Sequence, residues 1–324
     1  RSRSLAGPAG RWQPPTVTTS IASPAPPARS RLSWRRRRQL LGLAYVSPAL
    51  VIVTIFFLVP LVLAFWISLT EWKVAGFQRF VGLDNYIRLL GDEKWLGALW
   101  FTTIYTIAVT AVTFMLGFAL ALLVRVRQRR FVMLRTAFYL PVVIGMAVSS
   151  FIFLYLFNDQ VGAVNAVLRA VGLIDKDVAW LANPDTAFIT LLILVVWKNA
   201  GFAMITLLIA MQAVPDELYE AAKVDGAGFR QMLRSITVPL ILPTIALVLL
   251  LLVVGSYLAF DQFYVITRGG PNNSTITATY WIYNQAFVGF KFGYSTAMSV
   301  VLMLFLVILG AIQVRILRRD VTAS

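Results

Sequence analysis

Long apolar blocks alternate with short polar segments along this chain. Six such blocks cover residues 42–69, 97–124, 133–157, 187–211, 240–263 and 293–314. Each is long enough, as a helix, to cross a hydrocarbon core of about 30 Å. The pattern predicts an all-α integral membrane protein with six transmembrane helices.

Composition supports this prediction and excludes several kinds of chemistry. Hydrophobic residues make up 59% of the chain and charged residues only 13%, about half the charged share of a soluble domain. The absence of Cys and His excludes disulfides, thiol catalysis and His-based triads. No phosphate-binding GxxxxGK[ST] loop is present. We expect no catalytic residue, metal site or cofactor here, so that a separate polypeptide would have to bind any ATP.

The net charge of +15 could suggest nucleic-acid binding, but the distribution of the basic residues argues against it. Lys and Arg number twenty in the N-terminal segment, the segments after spans two and four, and the C-terminus. The opposing segments, 70–96, 158–186 and 264–292, hold eight. Positive charge stays on the cytoplasmic side. We therefore expect both termini in the cytoplasm of a multi-pass protein in the cell membrane.

The first 33 residues differ from the rest of the chain. They are rich in Pro, Ser, Ala and Arg and have no apolar periodicity, which is typical of a disordered tail. Because this long polar segment precedes the first apolar block, we expect no cleaved signal peptide. The predicted domains are a tail over 1–33 and a transmembrane domain over 34–324.

The segment between spans four and five, residues 214–239, has the pattern of a short helix, a turn and a second short helix. Pro215 suits the first helical position, and Asp216 and Glu217 complement the positive helix end. Gly226 provides the turn, and the second helix is expected over Phe229–Ser235, ending before Pro239. The segment could be an exposed docking element or an ordinary helix resting on lipid headgroups.

The same segment resembles the EAA loop of permeases from binding-protein-dependent ABC importers, the family with a MetI-like core. The residues that match the spacing of that loop are Glu220, Ala221, Ala222, Gly226, Ile236 and Pro239, and Asp225 precedes the glycine as is common in the family. Val238 stands where Leu is usual. The resemblance implies that this loop inserts into a cleft of a cytoplasmic ATPase, and that Glu220 and Gly226 matter most for coupling.

A second stretch resembles the sugar-uptake group of these permeases, which includes maltose-type and glycerol-3-phosphate-type subunits. Residues 260–275, with Gly269-Gly270-Pro271 at their centre, are similar to the FDxxYVxTxGGPxxxT pattern of that group. Ser47-Pro48 and the stretch 81–86 are similar as well. The resemblance covers about residues 40–317 and implies a carbohydrate or carbohydrate-like solute, translocated into the cytoplasm by alternating access. The glycines themselves are expected to form a structural turn.

The resemblance also implies partners. They are a cytoplasmic ATPase dimer that binds ATP and Mg²⁺, a second permease subunit of different sequence, an extracytoplasmic solute-binding protein and membrane lipid. No nucleic acid is expected.

A sugar path needs polar and aromatic residues at membrane depth, where such groups face the protein interior. The candidates are Ser149, Ser150, Tyr155, Lys198, Asn199, Gly255, Ser256, Tyr257, Asp261 and Gln262. Any one of them could instead bond a neighbouring helix. Lys198 stands out because a lysine in an apolar span avoids lipid. We expect it either to pair with a carboxylate, which we favour, or to meet an anionic substrate.

The competing function is an ion-coupled secondary transporter of a small polar solute. Such proteins usually carry ions on intramembrane acidic residues. Here only Asp261 approaches the membrane, near a span end, so the ATP-driven importer is the preferred interpretation.

Overall fold

A computed structural model describes residues 31–72, 78–125 and 129–322 of the chain. The predicted tail over residues 1–33 lies outside this range, except for its last three residues, which begin the first helix. The chain divides into two compact units, residues 1–59 and 60–324. In the first unit, α1 (Arg31–Val53) leads into a π-helical turn (Thr54–Leu58).

In the described residues, the second unit consists mainly of helices joined by loops, with one short hairpin. Its strands β1 (Thr70–Glu71) and β2 (Arg79–Phe80) pair antiparallel, with Thr70 opposite Phe80. Helix α2 (Val59–Ser68) crosses the boundary between the units. The others are α3 (Asp84–Leu90), α4 (Glu93–Leu123), α5 (Arg129–Val143), α6 (Met146–Leu156), α7 (Ala163–Ala170), α8 (Pro184–Gln212), α9 (Asp216–Val224), α10 (Phe229–Met232), α11 (Val238–Tyr257), α12 (Ala278–Tyr283) and α13 (Phe292–Thr322), with π turns at Leu233–Thr237, Phe263–Thr267 and Asn284–Val288.

The predicted membrane architecture is confirmed. Five helices of the described chain are long and apolar enough to span a membrane: Ala44–Ser68, Glu93–Leu123, Pro184–Gln212, Phe229–Tyr257 and Phe292–Arg315. The pair α5–α6 adds a sixth if it crosses as one broken span. Five of the six predicted apolar blocks thus coincide with a single long helix.

The third predicted span, 133–157, is not one straight helix as expected. Its two halves, Phe131–Val143 and Met146–Leu156, are bent by 98°. Pro141 lies in the last turn of α5, and Ile144 and Gly145 separate the two helices. A proline removes a helical N–H donor and clashes with the preceding turn, which favours the end of a helix near this position.

The fifth span also differs from the prediction. The expected short helix over 229–235 does not stop before Pro239, because α10, the π turn Leu233–Thr237 and α11 form one continuous helix. Val238 N–H donates to the carbonyl of Leu233, five residues back. This wider π register carries the helix past a proline that has no N–H to donate. The helix ends at Tyr257 and not at residue 263.

Helix α8 lies at the centre of the second unit. Of its most apolar window, 56% is buried, against 28% for α4 and for Phe229–Tyr257. It packs against α4, α5 and α11. Capping residues fix where the two inner spans begin: Asp92 accepts from the backbone of Lys94 and Trp95 ahead of α4, and Asn183 accepts from Asp185 N–H ahead of α8.

Candidate transport cavity and docking helix

A cavity of about 300 Å³ lies where the end of α11 meets α4, α8 and the start of α6. Its wall comes from four separate segments of the chain, which only the tertiary fold brings together. The lining residues are Tyr105, Val109, Met146, Val195, Asn199, Leu251, Leu252, Gly255, Ser256, Leu258, Ala259, Phe260, Asp261 and Gln262.

Several hydrogen-bonding groups face this cavity from different sides. Gln262 Nε2 donates to the hydroxyl oxygen of Tyr105 at 3.0 Å, and both side chains are buried. Asn199 uses one amide hydrogen on the carbonyl of Val195, at 3.0 Å, and no other described residue bonds its amide oxygen. Within the described chain, the Ser256 hydroxyl has no hydrogen-bond partner. Donors and acceptors of this kind, set in an apolar wall, suit a solute rich in hydroxyl groups.

The apolar part of the wall is backed by packed aromatic rings. Tyr105 and Phe263 contact edge to face with centroids 5.0 Å apart, and Phe101 lies 5.8 Å from Phe263 in the same manner. Both rings of the closer pair are fully buried. Edge-to-face pairs of this kind stabilise a core beyond their buried area. They fix the Tyr105 hydroxyl and, through it, the Gln262 amide.

A second candidate element, α9, follows directly after α8. The helix ends at a left-handed glycine: Gly226 has φ +78°. Ala227 N–H donates to the carbonyl of Ala222 at 2.8 Å, and Gly226 N–H donates to that of Lys223 at 3.0 Å. These two bonds form a Schellman motif, which closes the carbonyl end of a helix. The predicted helix and glycine turn are confirmed, with Pro215 just ahead of the first helical residue.

One face of α9, together with the first residue of α10, is exposed and mixes a carboxylate with small and apolar groups. We define the docking face as Leu218, Glu220, Ala221, Val224 and Phe229, all exposed. Val224 is 87% and Phe229 64% exposed. Among the described residues, no basic group pairs with Glu220. Exposed apolar side chains grouped in this way are typical of a surface that another molecule covers.

The opposite face of α9 is fixed to the transmembrane helices by Tyr219. Its hydroxyl shares a 2.9 Å hydrogen bond with Thr237 Oγ1, at the π turn before α11. Arg125, just after α4, lies over the Tyr219 ring at 4.4 Å from the centroid, within the range of a cation–π interaction. Both Tyr219 and Thr237 are buried. These contacts join α9 to the ends of α4 and α11.

The segment that contains α9 and most of the cavity wall has known relatives. Residues 113–322 match the family described as "Binding-protein-dependent transport system inner membrane component". The chain belongs to this family.

Curated relatives extend the likeness to most of the permease. It is 32% identical over 276 residues to the trehalose/maltose transport system permease protein MalF of Thermococcus litoralis, covering 84% of this chain and 90% of the relative. It is 32% identical over 308 residues to the diacetylchitobiose uptake system permease protein NgcF of Streptomyces coelicolor, covering 89% and 86%.

The fold is that of solved ABC transporter permeases. A chain of a bacterial alginate ABC transporter, in complex with an alginate pentasaccharide-bound periplasmic protein, superposes with a TM-score of 0.79. The match covers 90% of the permease and 98% of that chain at 23% identity.

Half of the sequence-derived path candidates line the cavity of the permease, and half lie elsewhere. Asn199, Gly255, Ser256, Asp261 and Gln262 are in its wall. Ser150 instead donates to the carbonyl of Met146, and the Tyr257 hydroxyl shares a hydrogen bond with Thr103. Ser149 is buried without a hydrogen-bond partner in the described chain, and Tyr155 is 75% exposed.

Among the described residues, Lys198 bonds backbone carbonyls and not the carboxylate that the sequence favoured. Its ammonium lies 3.3 Å from the carbonyl oxygens of Pro141 and Val142 and also donates to that of Ile144. These three residues lie at the break between α5 and α6. Within the described residues, no carboxylate pairs with Lys198, and it is not part of the cavity wall.

Several residues of the cavity wall and of α9 are not among those predicted from the sequence. Tyr105, Met146 and Phe260 line the cavity, and Tyr219 anchors α9. A tyrosine in the interior of an apolar span, such as Tyr105, is a signal that could have been noticed. Met146 and Phe260 carry no such signal, because their role depends on where α6 and α11 end.

The remaining members of the coupling motif have defined places. Ile236 is half-buried and packs against the hydrophobic cluster that includes the C-terminal half of α8. Asp225 and Pro239 are exposed. Ala222, half-buried, lies between the docking face and the anchored side of α9. The Gly269-Gly270-Pro271 turn is held by Thr275, whose hydroxyl lies 2.6 Å from the Gly270 carbonyl and 2.8 Å from Thr267 Oγ1.

Proposed function

We propose that this permease carries a carbohydrate through the membrane as one subunit of an ATP-driven importer. The observation that carries the proposal is the cavity, in which Asn199, Ser256 and Gln262 present hydrogen-bonding groups between apolar and aromatic walls. The names of the trehalose/maltose and diacetylchitobiose relatives support a sugar as the solute.

In this proposal the cavity recognises sugar hydroxyls. Ser256 Oγ would donate to or accept from them, and the amide oxygen of Asn199 would accept. The Phe260 ring offers an apolar face to a pyranose. Asp261, which is exposed at the cavity rim, would accept from a further hydroxyl. Gln262 would be oriented by its bond to Tyr105. Hydrogen bonds to a desolvated hydroxyl and contact with an apolar sugar face together provide specificity.

The docking face of α9 would receive a cytoplasmic ATPase, and a pair of such ATPases would bind the ATP and Mg²⁺. Closure of that pair would displace α9 as a rigid body and alternate the access of the cavity between the two sides. Tyr219 transmits the displacement in this scheme. Dependence on a binding protein is a property of the family. A second permease subunit of different sequence would complete the membrane-spanning part.

The proposal also orients the chain. With both termini in the cytoplasm, α9 lies on the cytoplasmic side, as the distribution of Lys and Arg favours. The segments 70–96, 158–186 and 264–292 are then outside. A cytoplasmic ATPase can reach α9 only in this orientation, so docking at α9 tests both statements.

Two serines provide a matched test of the cavity. The complex that co-purifies with the tagged permease is reconstituted, and uptake of labelled maltose, trehalose and diacetylchitobiose is measured with ATP. Ser256→Ala removes a hydroxyl that faces the cavity, whereas Ser150→Ala removes one that bonds its own helix. We expect Ser256→Ala to raise the half-saturating sugar concentration about 3- to 10-fold, since one net hydrogen bond is lost.

Ser150→Ala should leave that concentration unchanged. Equal values for both variants and the wild type would show that the sugar does not contact this cavity.

A further inference from the structure

The break between α5 and α6 leaves backbone carbonyls without helical partners. Ile144 N–H donates to the Pro141 carbonyl at 3.2 Å, and no regular helix continues to Met146. The last carbonyls of a helix need partners from outside it. In an apolar surrounding each unsatisfied group is costly, so a bend of 98° requires a donor at this point.

Lys198 provides that donor. Its ammonium contacts the carbonyl oxygens of Pro141, Val142 and Ile144, and the residue is only 8% exposed. An ammonium carries three N–H donors and no acceptor, which matches three carbonyls. The Lys198 ammonium, on the neighbouring helix α8, therefore caps the C-terminal end of α5.

The same contact lies beside the cavity wall. Asn199, the residue after Lys198, lines the cavity from α8, and Met146, the first residue of α6, lines it from the other side of the break. The bend angle thus decides where Met146 stands relative to Asn199. The width of the cavity depends on it.

Helix α5 also approaches α8 closely on the other side of Lys198. A Cβ at Gly201 would stand 2.1 Å from the carbonyl oxygen of Phe138, so only glycine allows this contact. From there α8 runs to Gln212 and, after three residues, to α9. The break, the cavity wall and the docking helix are connected through one helix.

We propose that Lys198 is the positioning residue that holds the α5–α6 break against α8, so that a displacement of α9 moves the Met146 wall of the cavity. The role of Lys198 in coupling rests on the proposed function, whereas its role in fixing the α5–α6 bend does not. Without the ammonium, the carbonyls of Val142 and Ile144 lose their donor and that of Pro141 keeps only the Ile144 N–H. The angle between α5 and α6 is then no longer defined.

The bend can be measured directly because the chain contains no Cys. Spin labels are attached to cysteines at Met133 on α5 and Phe151 on α6, which are 74% and 58% exposed. Pulsed dipolar spectroscopy on the full chain with its co-purified partners in lipid nanodiscs gives the distribution of the label-to-label distance. We compare wild type, Lys198→Met, Lys198→Gln and Thr190→Val.

The expected result is a narrow distribution for the wild type and one at least about twice as broad for Lys198→Met. Lys198→Gln, whose amide retains two donors, should lie between them. Thr190→Val is the control: the hydroxyl it removes is buried in the same helix but bonds the carbonyl of Thr186. Its distance distribution should match that of the wild type. Equal broadening in Thr190→Val and Lys198→Met would indicate a general loss of α8 stability and not a role of the ammonium.

Sugar taken up per ATP hydrolysed is the second readout, and it should fall about tenfold in Lys198→Met while hydrolysis continues. A distribution as narrow as the wild type's in Lys198→Met would overturn the proposal. If that variant does not accumulate, a wild-type distribution in Lys198→Gln would overturn it as well. The distance measurement needs neither sugar nor ATP, so a failure of carbohydrate transport would not change what the distances say about Lys198.

Discussion

At the scale of single residues, Glu220 shows how a carboxylate can serve a partner protein. It is exposed in the middle of α9, without a basic partner among the described residues, and Ala221 beside it is small. Small neighbours let another surface come close, and the carboxylate then fixes its orientation. Glu217, one turn earlier, lies at the positive helix end, where it stabilises the helix itself.

These two residues give a matched pair of substitutions. Glu220→Ala should lower both sugar uptake and the ATP hydrolysis that the solute-binding protein stimulates. The reason is that a charge-assisted contact buried at the interface is worth roughly 1–3 kcal/mol. Glu217→Ala should change either rate much less, since a solvated carboxylate contributes under about 1 kcal/mol. Both rates are measured on the reconstituted complex. Binding of the sugar by the solute-binding protein, which should not change, is the reference. Equal losses in the two variants would indicate only a weaker helix.

Residue type could be predicted from the sequence, but the direction of a side chain could not. Ser256 and Tyr257 are adjacent and both polar, yet Ser256 lines the cavity while Tyr257 bonds Thr103 and packs against Phe305. In a span that is apolar on all sides, periodicity does not say which face meets protein. Lys198 stands out in the sequence for its charge, but its carbonyl partners become visible only once the α5–α6 break is known.

At the scale of elements, the end of α9 depends on one backbone conformation. Gly226 and Gly228 both have open space where a Cβ would stand, but only Gly226 has a positive φ, +78° against −75°. A left-handed conformation costs other residues about 1–2 kcal/mol, and a β-branched side chain worsens it. If the same substitution has different effects at Gly226 and Gly228, the difference is due to the turn conformation and not to the added side-chain volume.

We expect Gly226→Val to reduce the amount of ATPase that co-purifies with the tagged permease, at a normal level in the membrane. Gly228→Val should retain it. Quantitative immunoblotting of the purified complex measures both. Full ATPase association in Gly226→Val would mean that α9 is an interfacial helix with no docking role.

Two prolines explain why element boundaries were harder to predict than the elements. Pro141 precedes a 98° bend, whereas the helix runs through Pro239 on a π turn. The local signal is the same in both. The outcome differs because Lys198 is available to satisfy the carbonyls at the first, and a wider helical register absorbs the second. Neither the Lys198 contact nor the π turn can be predicted from the residues next to the proline.

At the scale of the whole molecule, α8 connects the two functional regions. It contributes Val195 and Asn199 to the cavity, contacts the α5–α6 break through Lys198, and leads into α9. Its burial makes it the element least able to move alone. This arrangement supports a mechanism in which work done at α9 changes the shape of the cavity.

We propose that ATP hydrolysis, and not an ion gradient, drives a carbohydrate through this permease. Accumulation of labelled maltose, trehalose or diacetylchitobiose is measured in proteoliposomes that contain the purified complex and its binding protein. We expect accumulation with ATP and Mg²⁺ and none with a proton or sodium gradient alone. Accumulation driven by such a gradient in the absence of ATP would show that the permease is an ion-coupled transporter.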